Sequence, residues 1–400
     1  MKRRELQFMD GKSSKFWRIE LDGASHTVTY GRIGTDGTSK TKGFSTAEDA
    51  EASFEKLVHQ KLAKGYADAS SESSADSAAG DDEAVPFMAF ACTTGSQGTY
   101  EHATNFMGLR VRQHHAGKKI PSPEKYAHFF SSDYDTDSFG GDLDDFLGQD
   151  AALKARALVL GSWASEMYEV SSSAAVKKLT DAADKLSSLE GIFVGDIIQE
   201  ENEMSWIKQS DVSPLLGAFP QLQLLRVRGG EGLALTEARH PGLRALALET
   251  GGMDASVVRS VLGGDFPSLE YLELWLGTEE YGGTCSVEDL QPLLAGRKFP
   301  KLRYLGLRNC DFVDDIAPVV VNSPLLERIQ TLDLSLGTLS DVGGQALLKL
   351  SSAPSLERLD LSHHFMTKPM TKQLKALPFA VDVSDAQEDD DDWRFVAVGE

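Results

Sequence analysis

Tyr30, Gly31 and Arg32 stand in a row inside the stretch "TVTYGRIGTDGTSKTKGF", Thr27 to Phe44, and Lys40 and Lys42 follow within it. An aromatic face accepts stacking by any base, a guanidinium pairs with phosphate through a fixed fork, and lysines extend such a contact along a backbone. These residue types offer recognition of a polyanion rather than the making of bonds. The same residues also admit a plainer reading. Period two puts Val28, Tyr30 and Arg32 on one face of a strand, where Tyr30 closes a small core and the glycines serve turns.

Either reading needs a small sheet to hold these positions. The runs "KFWRIELDG", "HTVTYGRI" and "TSKTKGF" alternate with period two and are separated by the turn signals "DGAS" and "GTDG", which predicts an antiparallel meander. A helix follows, with Thr46 as N-cap, Asp49 three residues on, and an apolar stripe of Ala50, Phe54, Leu57, Val58 and Leu62 that ends at "KGY". Residues 67–84, "ADASSESSADSAAGDDEA", carry no large apolar side chain and read as a disordered acidic linker. The chain of 400 residues has a net charge of −21, yet residues 1–66 hold twelve Lys/Arg against nine Asp/Glu. Residues 67–400 therefore carry −24, a body that repels nucleic acid and leaves the head as the place for a polyanion.

Catalytic constellations are missing: no H-E-x-x-H, no G-x-S-x-G and no Walker lysine occurs. His114-His115 and His363-His364 are adjacent pairs whose side chains diverge in a strand, so no metal site is expected there. The run Glu388 to Asp392 has the composition of a weak calcium site or of a solvated hinge, and the hinge is the expectation. Three scattered cysteines, Cys92, Cys285 and Cys310, suit a reducing compartment. With no apolar signal segment or membrane span, the expectation is a cytoplasmic, non-enzymatic protein without cofactor. An enzyme would have to keep its site in the segment 85–150 or on a glycine-rich rim.

From about residue 155 the pattern L-x-x-L-x-L recurs, in "LEGIFV" from Leu189, "LQLLRV" from Leu222, "LRALAL" from Leu243, "LEYLEL" from Leu269, "LRYLGL" from Leu302, "IQTLDL" from Ile329 and "LERLDL" from Leu356, with "ARALVL" from Ala155 a degenerate first copy. Helical stretches such as "SVEDLQPLLAG" and "DVGGQALLKL" fill the intervals, so each unit is a strand plus a returning helix that must stack on its neighbours. This resembles the ribonuclease-inhibitor-like class of leucine-rich repeats. The resemblance implies an α/β solenoid over residues 151–400, preceded by a poorly placed flank at 85–150. There "NFMGLRVRQ" suits a strand, "DDFL" a helix start and "SSDYDTDSFGGDLDD" an acidic loop.

The positions flanking the last two leucines predict an exposed band of Arg226, Arg228, Glu249, Tyr271, Glu273, Trp275, Tyr304, Arg308, Asp333, Arg358 and Asp360. Aromatics and arginines of this kind anchor protein interfaces, and a flanking loop that covers Trp275 is the alternative. The loops "RVRGGEG", "LETGGMD" and "LGTEEYGGT" signal tight turns or a small-ligand edge. The closing segments "AVDVSD" and "WRFVAV" suit a cap on the open end. The body also resembles a bacterial family of leucine-rich-repeat proteins through "ENEMSWI", "LELWLGTEEYGG", "LRYLGLRN" and "DDDDWRFVAVGE".

The head, over roughly residues 5–66, resembles a WGR domain, a module shared by poly(ADP-ribose) polymerases and many bacterial proteins. The triplet stands here as Tyr30-Gly31-Arg32, followed by "IGTDGTSKTKGFST" and "KLAKGY". In the polymerases the module binds DNA near strand breaks. The resemblance implies Tyr30 as stacking platform, Arg32 as phosphate contact and Gly31 as the point of close approach, with tyrosine giving a smaller platform than tryptophan. The expectation is an adaptor whose head contacts nucleic acid and whose repeats hold a protein. The alternative is a protein interaction scaffold with a head that only docks.

Overall fold

In the computed structural model the repeated copies pair strand on strand in a single register. Leu158, Ile192, Leu225, Leu246, Leu272, Leu305, Leu332, Leu359 and Val381 form one ladder of directly paired residues. Every rung from Leu158 to Leu359 is buried, and each such leucine contributes about 2 kcal/mol by leaving water. The structure describes residues 2–9, 14–32, 38–44, scattered positions from 46 to 68, 101–132, 136–165, 169–388 and 394–399.

The chain divides into two units, Met1–Ala84 and Val85–Glu400. In the first, β1 (Lys2–Met9), β2 (Ser14–Asp22), β3 (Ser25–Arg32), β4 (Thr38–Gly43) and β5 (Ala67–Asp68) form an antiparallel sheet of order β4-β3-β2-β1-β5. The expected meander is β2-β3-β4. Strand β1 precedes the runs of the expected meander, and β5 pairs with it at the first two positions assigned to the linker. The remaining linker positions lie outside the described residues. Leu6, Trp17, Ile19 and Phe54 make the core, with Leu21, Val28 and Leu57 packed against it. Ala50, Phe54 and Leu57 of the apolar stripe are among the described helical positions.

The second unit holds a 12-stranded sheet. It runs from β6 (Asn105–Phe106), β7 (Leu109–Gln113), β8 (Tyr126–Phe130), β9 (Ala157–Leu160), β10 (Gly191–Val194), β11 (Leu224–Arg228) and β12 (Ala245–Glu249) to β13 (Tyr271–Gly277), β14 (Tyr304–Cys310), β15 (Thr331–Asp333), β16 (Arg358–Asp360) and β17 (Ala380–Asp382), each beside the next. All neighbours are parallel except β6 and β7. The helices between strands place Leu179, Leu215, Val258, Leu290, Ile316, Leu347 and Leu374 in the same core as the ladder. Their starts are written locally: Asp254 accepts from the Ser256 N–H, Ser286 and Asp289 form a capping box, and Ser340 accepts from the Val342 N–H.

The flank continues this sheet. "NFMGLRVRQ" is the hairpin β6-β7, turned at Met107 and Gly108, whose φ of 56° and 70° fit a two-residue turn of the type that matches strand twist. "DDFL" closes the helix Phe139–Leu147 instead of opening one, so the stretch read as an acidic loop ends inside a helix.

Candidate nucleic-acid surface and the buried ion network

In the first unit Tyr30 pairs with Trp17 on one side and Thr38 on the other, while Lys40 stands opposite Val28 and Lys42 opposite His26. Paired residues share a face, so Trp17, Tyr30, Lys40 and Lys42 lie on one side of the sheet. Trp17 closes the core at 3% exposure, whereas Tyr30 is 40% exposed. Strand β4 is the edge of the described sheet, and Lys40 and Lys42 on it are exposed. Lys42 Nζ sits 4.8 Å from the Phe44 ring centre, and that ring packs on His26 at 5.0 Å. His26 is buried and meets Ser53 Oγ at 3.0 Å. Burial holds its pKa below the ordinary value, and the charge of Lys42 adds to that. Gly31 and Arg32 end β3 opposite Phe16 and Lys15. The arrangement puts an exposed aromatic ring and two exposed lysines on one face at the sheet edge.

Most of the band expected to be exposed in the second unit is instead buried. Arg226, Arg228, Glu249, Tyr271, Glu273, Trp275, Tyr304 and Asp333 are all buried, Arg308 and Asp360 are intermediate, and Arg358 alone is exposed. The side chains pair with one another. Glu249 pairs with Arg226 and, at 2.7 Å, with Arg228 Nε. Glu273 accepts from the Tyr271 hydroxyl, from Trp275 Nε1 at 2.6 Å and from Arg308 Nη1 at 2.8 Å. Arg308 also lies 3.3 Å from Asp333, which accepts from the Tyr304 hydroxyl at 2.7 Å. Tyr271 and Tyr304 stack with ring centres 4.0 Å apart, and the missing side chain of Gly306 makes room for the Tyr304 ring.

Burial pushes the Glu273 carboxyl up, but Arg308 and Arg226, with the Tyr271 and Trp275 donors, outweigh it and hold the pKa down at about 2. Asp333 moves the other way, raised by burial against the pull of Arg308. Arg358 pairs with Asp360 at 2.9 Å and Asp382 at 3.2 Å at the exposed end of the row. Ala103, Phe106 and Met107 belong to the same apolar cluster as Phe193, Tyr271 and Tyr304. A Cβ on Gly191 would meet Met107 Sδ at 1.9 Å, so the hairpin lies directly over β10.

His102 fastens this covering segment. Its Nε2 is 3.2 Å from Glu201, its Nδ1 is 3.0 Å from the Asp196 carbonyl, and the buried Asp196 carboxylate accepts from the Ala103 N–H. Burial pushes the ring's pKa down, but Asp196 and Glu201 outweigh it and lift it to about 10. A raised value means that the stabilisation is complete below the ordinary 6.5 and is lost between 6.5 and about 10. Because the side chain is 32% exposed, the loss is expected to be about 1–2 kcal/mol. Urea unfolding at pH 6 and pH 10 checks this. The parent should weaken over that window more than His102→Gln does, and parallel curves would refute the assignment.

The glycine loops prove to be places where backbones meet. Gly252 bridges Gly277, the Thr278 N–H donates to the Gly251 carbonyl at 2.9 Å, and Gly283 packs on Gly252. Of the two closing segments, "AVDVSD" supplies β17, the last strand of the sheet, while the other runs over the loops. Ala397 donates to the Leu336 carbonyl, Val398 exchanges two hydrogen bonds with the Asn309 side chain, and Ser205 donates to the Gly399 carbonyl. Residues 394–399 thus strap the loops that follow several strands, a role for Asn309 that its repeat position did not suggest. The hinge at Glu388 to Asp392 lies outside the described residues apart from Glu388. Among the described residues no three of His, Cys, Asp and Glu could hold a metal ion, and no helix is long and apolar enough to cross a membrane.

The family model described as "WGR domain" matches residues 2–73, so the first unit carries a WGR domain. Among curated proteins, the uncharacterized protein YfeS of Escherichia coli (strain K12) is 41% identical over 66 residues, which is 16% of this chain and 27% of that protein. The protein YehF of the same organism is 35% identical over 71 residues, 18% of this chain and 26% of that protein. The chain thus spans about a quarter of the length of the curated relatives it matches. Among solved structures, a Bacteroides fragilis protein is similar over 99% of both chains, with 29% identity and a TM-score of 0.63.

Proposed function

We propose that the protein is a non-enzymatic adaptor whose WGR domain contacts nucleic acid and whose second unit, a leucine-rich-repeat solenoid of the ribonuclease-inhibitor-like class, holds a protein partner. One observation carries the nucleic-acid reading. Tyr30 is left 40% exposed while Trp17 closes the core from the paired position, so the tyrosine is not needed inside, and it shares its face of the sheet with the exposed Lys40 and Lys42. An exposed ring with flanking cations is the arrangement that stacks a base and neutralises its phosphate. The leucine-rich-repeat class is supported by the in-register ladder of paired leucines. Partner binding falls to surface outside the buried network, since the aromatic and arginine band is occupied by its own carboxylates.

The test is fluorescence anisotropy of the full chain against blunt, nicked and single-stranded DNA over a salt series. Tyr30→Ala is expected to weaken binding by about 1–3 kcal/mol, the range for loss of one stacked base. Arg32→Ala is expected to reduce the slope of log affinity against log salt by about one. Parent binding that is absent at low salt would dismiss the nucleic-acid role and leave the head as a docking module.

A further inference from the structure

A second cationic feature lies in the acidic unit and was absorbed by neither role. Residues 109–128 hold Arg110, Arg112, Lys118, Lys119 and Lys125 against Glu124 alone, inside a stretch, 67–400, with 28 Lys/Arg against 52 Asp/Glu. All five basic residues are exposed, and among the described residues none of them has an ion-pair partner. Arg112, Lys118, Lys119 and His115 line a cavity of about 300 Å³ together with His128 and Ile120.

The loop that carries the lysines is fixed from behind. The His114 N–H donates to the Phe129 carbonyl and the His114 ring meets Asp145 Oδ2 at 3.0 Å. Ala116 N–H donates to Asp142 Oδ1 at 2.7 Å, and Gln149 holds the Lys118 carbonyl at 3.0 Å. Backbone donation from Gly117, with His114 beside it, holds the Asp145 carboxyl below the usual range. The two nearby carboxylates are thus turned to the loop's own backbone and histidines, and the cations face the cavity unneutralised. Arg112 is aimed by its neighbour on β8: its guanidinium stacks over Tyr126 at 5.2 Å. His128 reports the field. Burial first, then the charges of His114 and Arg112, keep its pKa low.

We propose that this cavity binds the phosphate group of a small phosphate monoester. Three cations and an imidazole lining one cavity suit a tetrahedral dianion, whereas a carboxylate needs only one guanidinium. The volume accepts a phosphate with a body of about pentose size. The surrounding excess of carboxylates repels a long polyanion but costs a compact dianion little.

Titration calorimetry of the full chain with inorganic phosphate, 5′-AMP and adenosine tests this, alongside Lys118→Glu/Lys119→Glu and Arg112→Ala. Both variants change exposed side chains, and thermal melts should match the parent within about 3 °C. The expected result is saturable binding of 5′-AMP and phosphate, none of adenosine, and affinity lowered at least tenfold in each variant. Equal binding of adenosine, an unchanged affinity in the variants, or no saturation at millimolar phosphate or 5′-AMP overturns the proposal. So does a 5′-phosphorylated oligonucleotide that loses affinity in the variants when 5′-AMP does not bind, since the patch would then serve nucleic acid. Binding at the WGR domain is insensitive to these changes, so the two readings fail separately.

Discussion

Replacing Glu273 by Gln is expected to lower the unfolding free energy of the second unit by about 3–5 kcal/mol, the cost of removing one partner of a buried ion pair. Glu273 is 1% exposed and is the acceptor shared by Tyr271, Trp275 and Arg308, with Arg226 at 3.9 Å. The amide keeps the shape and loses the charge, which leaves Arg308 with Asp333 alone while burial raises the Asp333 pKa. A second substitution, Arg308→Gln, should recover part of the loss, because it takes away the uncompensated cation. The pH dependence has a definite sign. Glu273 is held at about 2, below its ordinary 4.5, so its contribution is present above pH 4.5 and disappears as the pH falls to about 2. Urea unfolding at pH 7 and pH 3 should show a smaller acid loss in Glu273→Gln than in the parent. A cost below about 1 kcal/mol at pH 7 would mean that water reaches the network.

Leu225, Leu246 and Leu272 were legible as neighbours from the spacing of the copies alone, because a stacked repeat has only one way to bury every apolar face. The alternation that put Arg226 and Glu273 on the opposite face was equally legible, and both do share a row, Arg226 with Ala247 and Ala247 with Glu273. What alternation does not carry is what lies on that face. Phe106 and Met107, which share the apolar cluster of Tyr271 and Tyr304, come from a hairpin with strands too short for a periodic signal. The sequence did contain one pointer: an acid stands in the same band as each arginine, Glu249 with Arg228 and Asp333 with Arg308, and facing opposite charges neutralise each other more cheaply than they bind a partner. In the head, parity placed Tyr30 correctly but left its exposure open. Trp17 decides it, since a tryptophan in the paired position fills the space that Tyr30 would otherwise take.

Gly277→Ala is expected to cost more than about 3 kcal/mol, through a strained backbone and a collision that no side-chain rotation relieves. The φ of Gly277 is +67°, a region that alanine enters at a cost, and its new Cβ would stand 1.8 Å from the Gly251 carbonyl oxygen and 2.4 Å from the Gly252 nitrogen. Those atoms belong to the loop after β12, which donates from Met253 to the Leu276 carbonyl and accepts from Thr278. Moving that loop also moves the seat of the closing segment, because Gly399 packs on Gly251 and on the Tyr281 ring. Gly217→Ala is the contrast. Its Cβ would meet nothing within 4 Å in the helix Ser213–Ala218, so it should stabilise by about 0.5–1 kcal/mol. Denaturation midpoints give the two free energies, and hydrogen exchange at Ala397 and Val398 reports the strap. In Gly277→Ala those amides should exchange faster even where the remaining chain stays folded, because their acceptors are the Leu336 carbonyl and the Asn309 side chain rather than a sheet ladder. Unchanged protection together with a loss under about 1 kcal/mol would mean that the two loops separate without penalty, and that the close approach of their glycines is not what holds the rim.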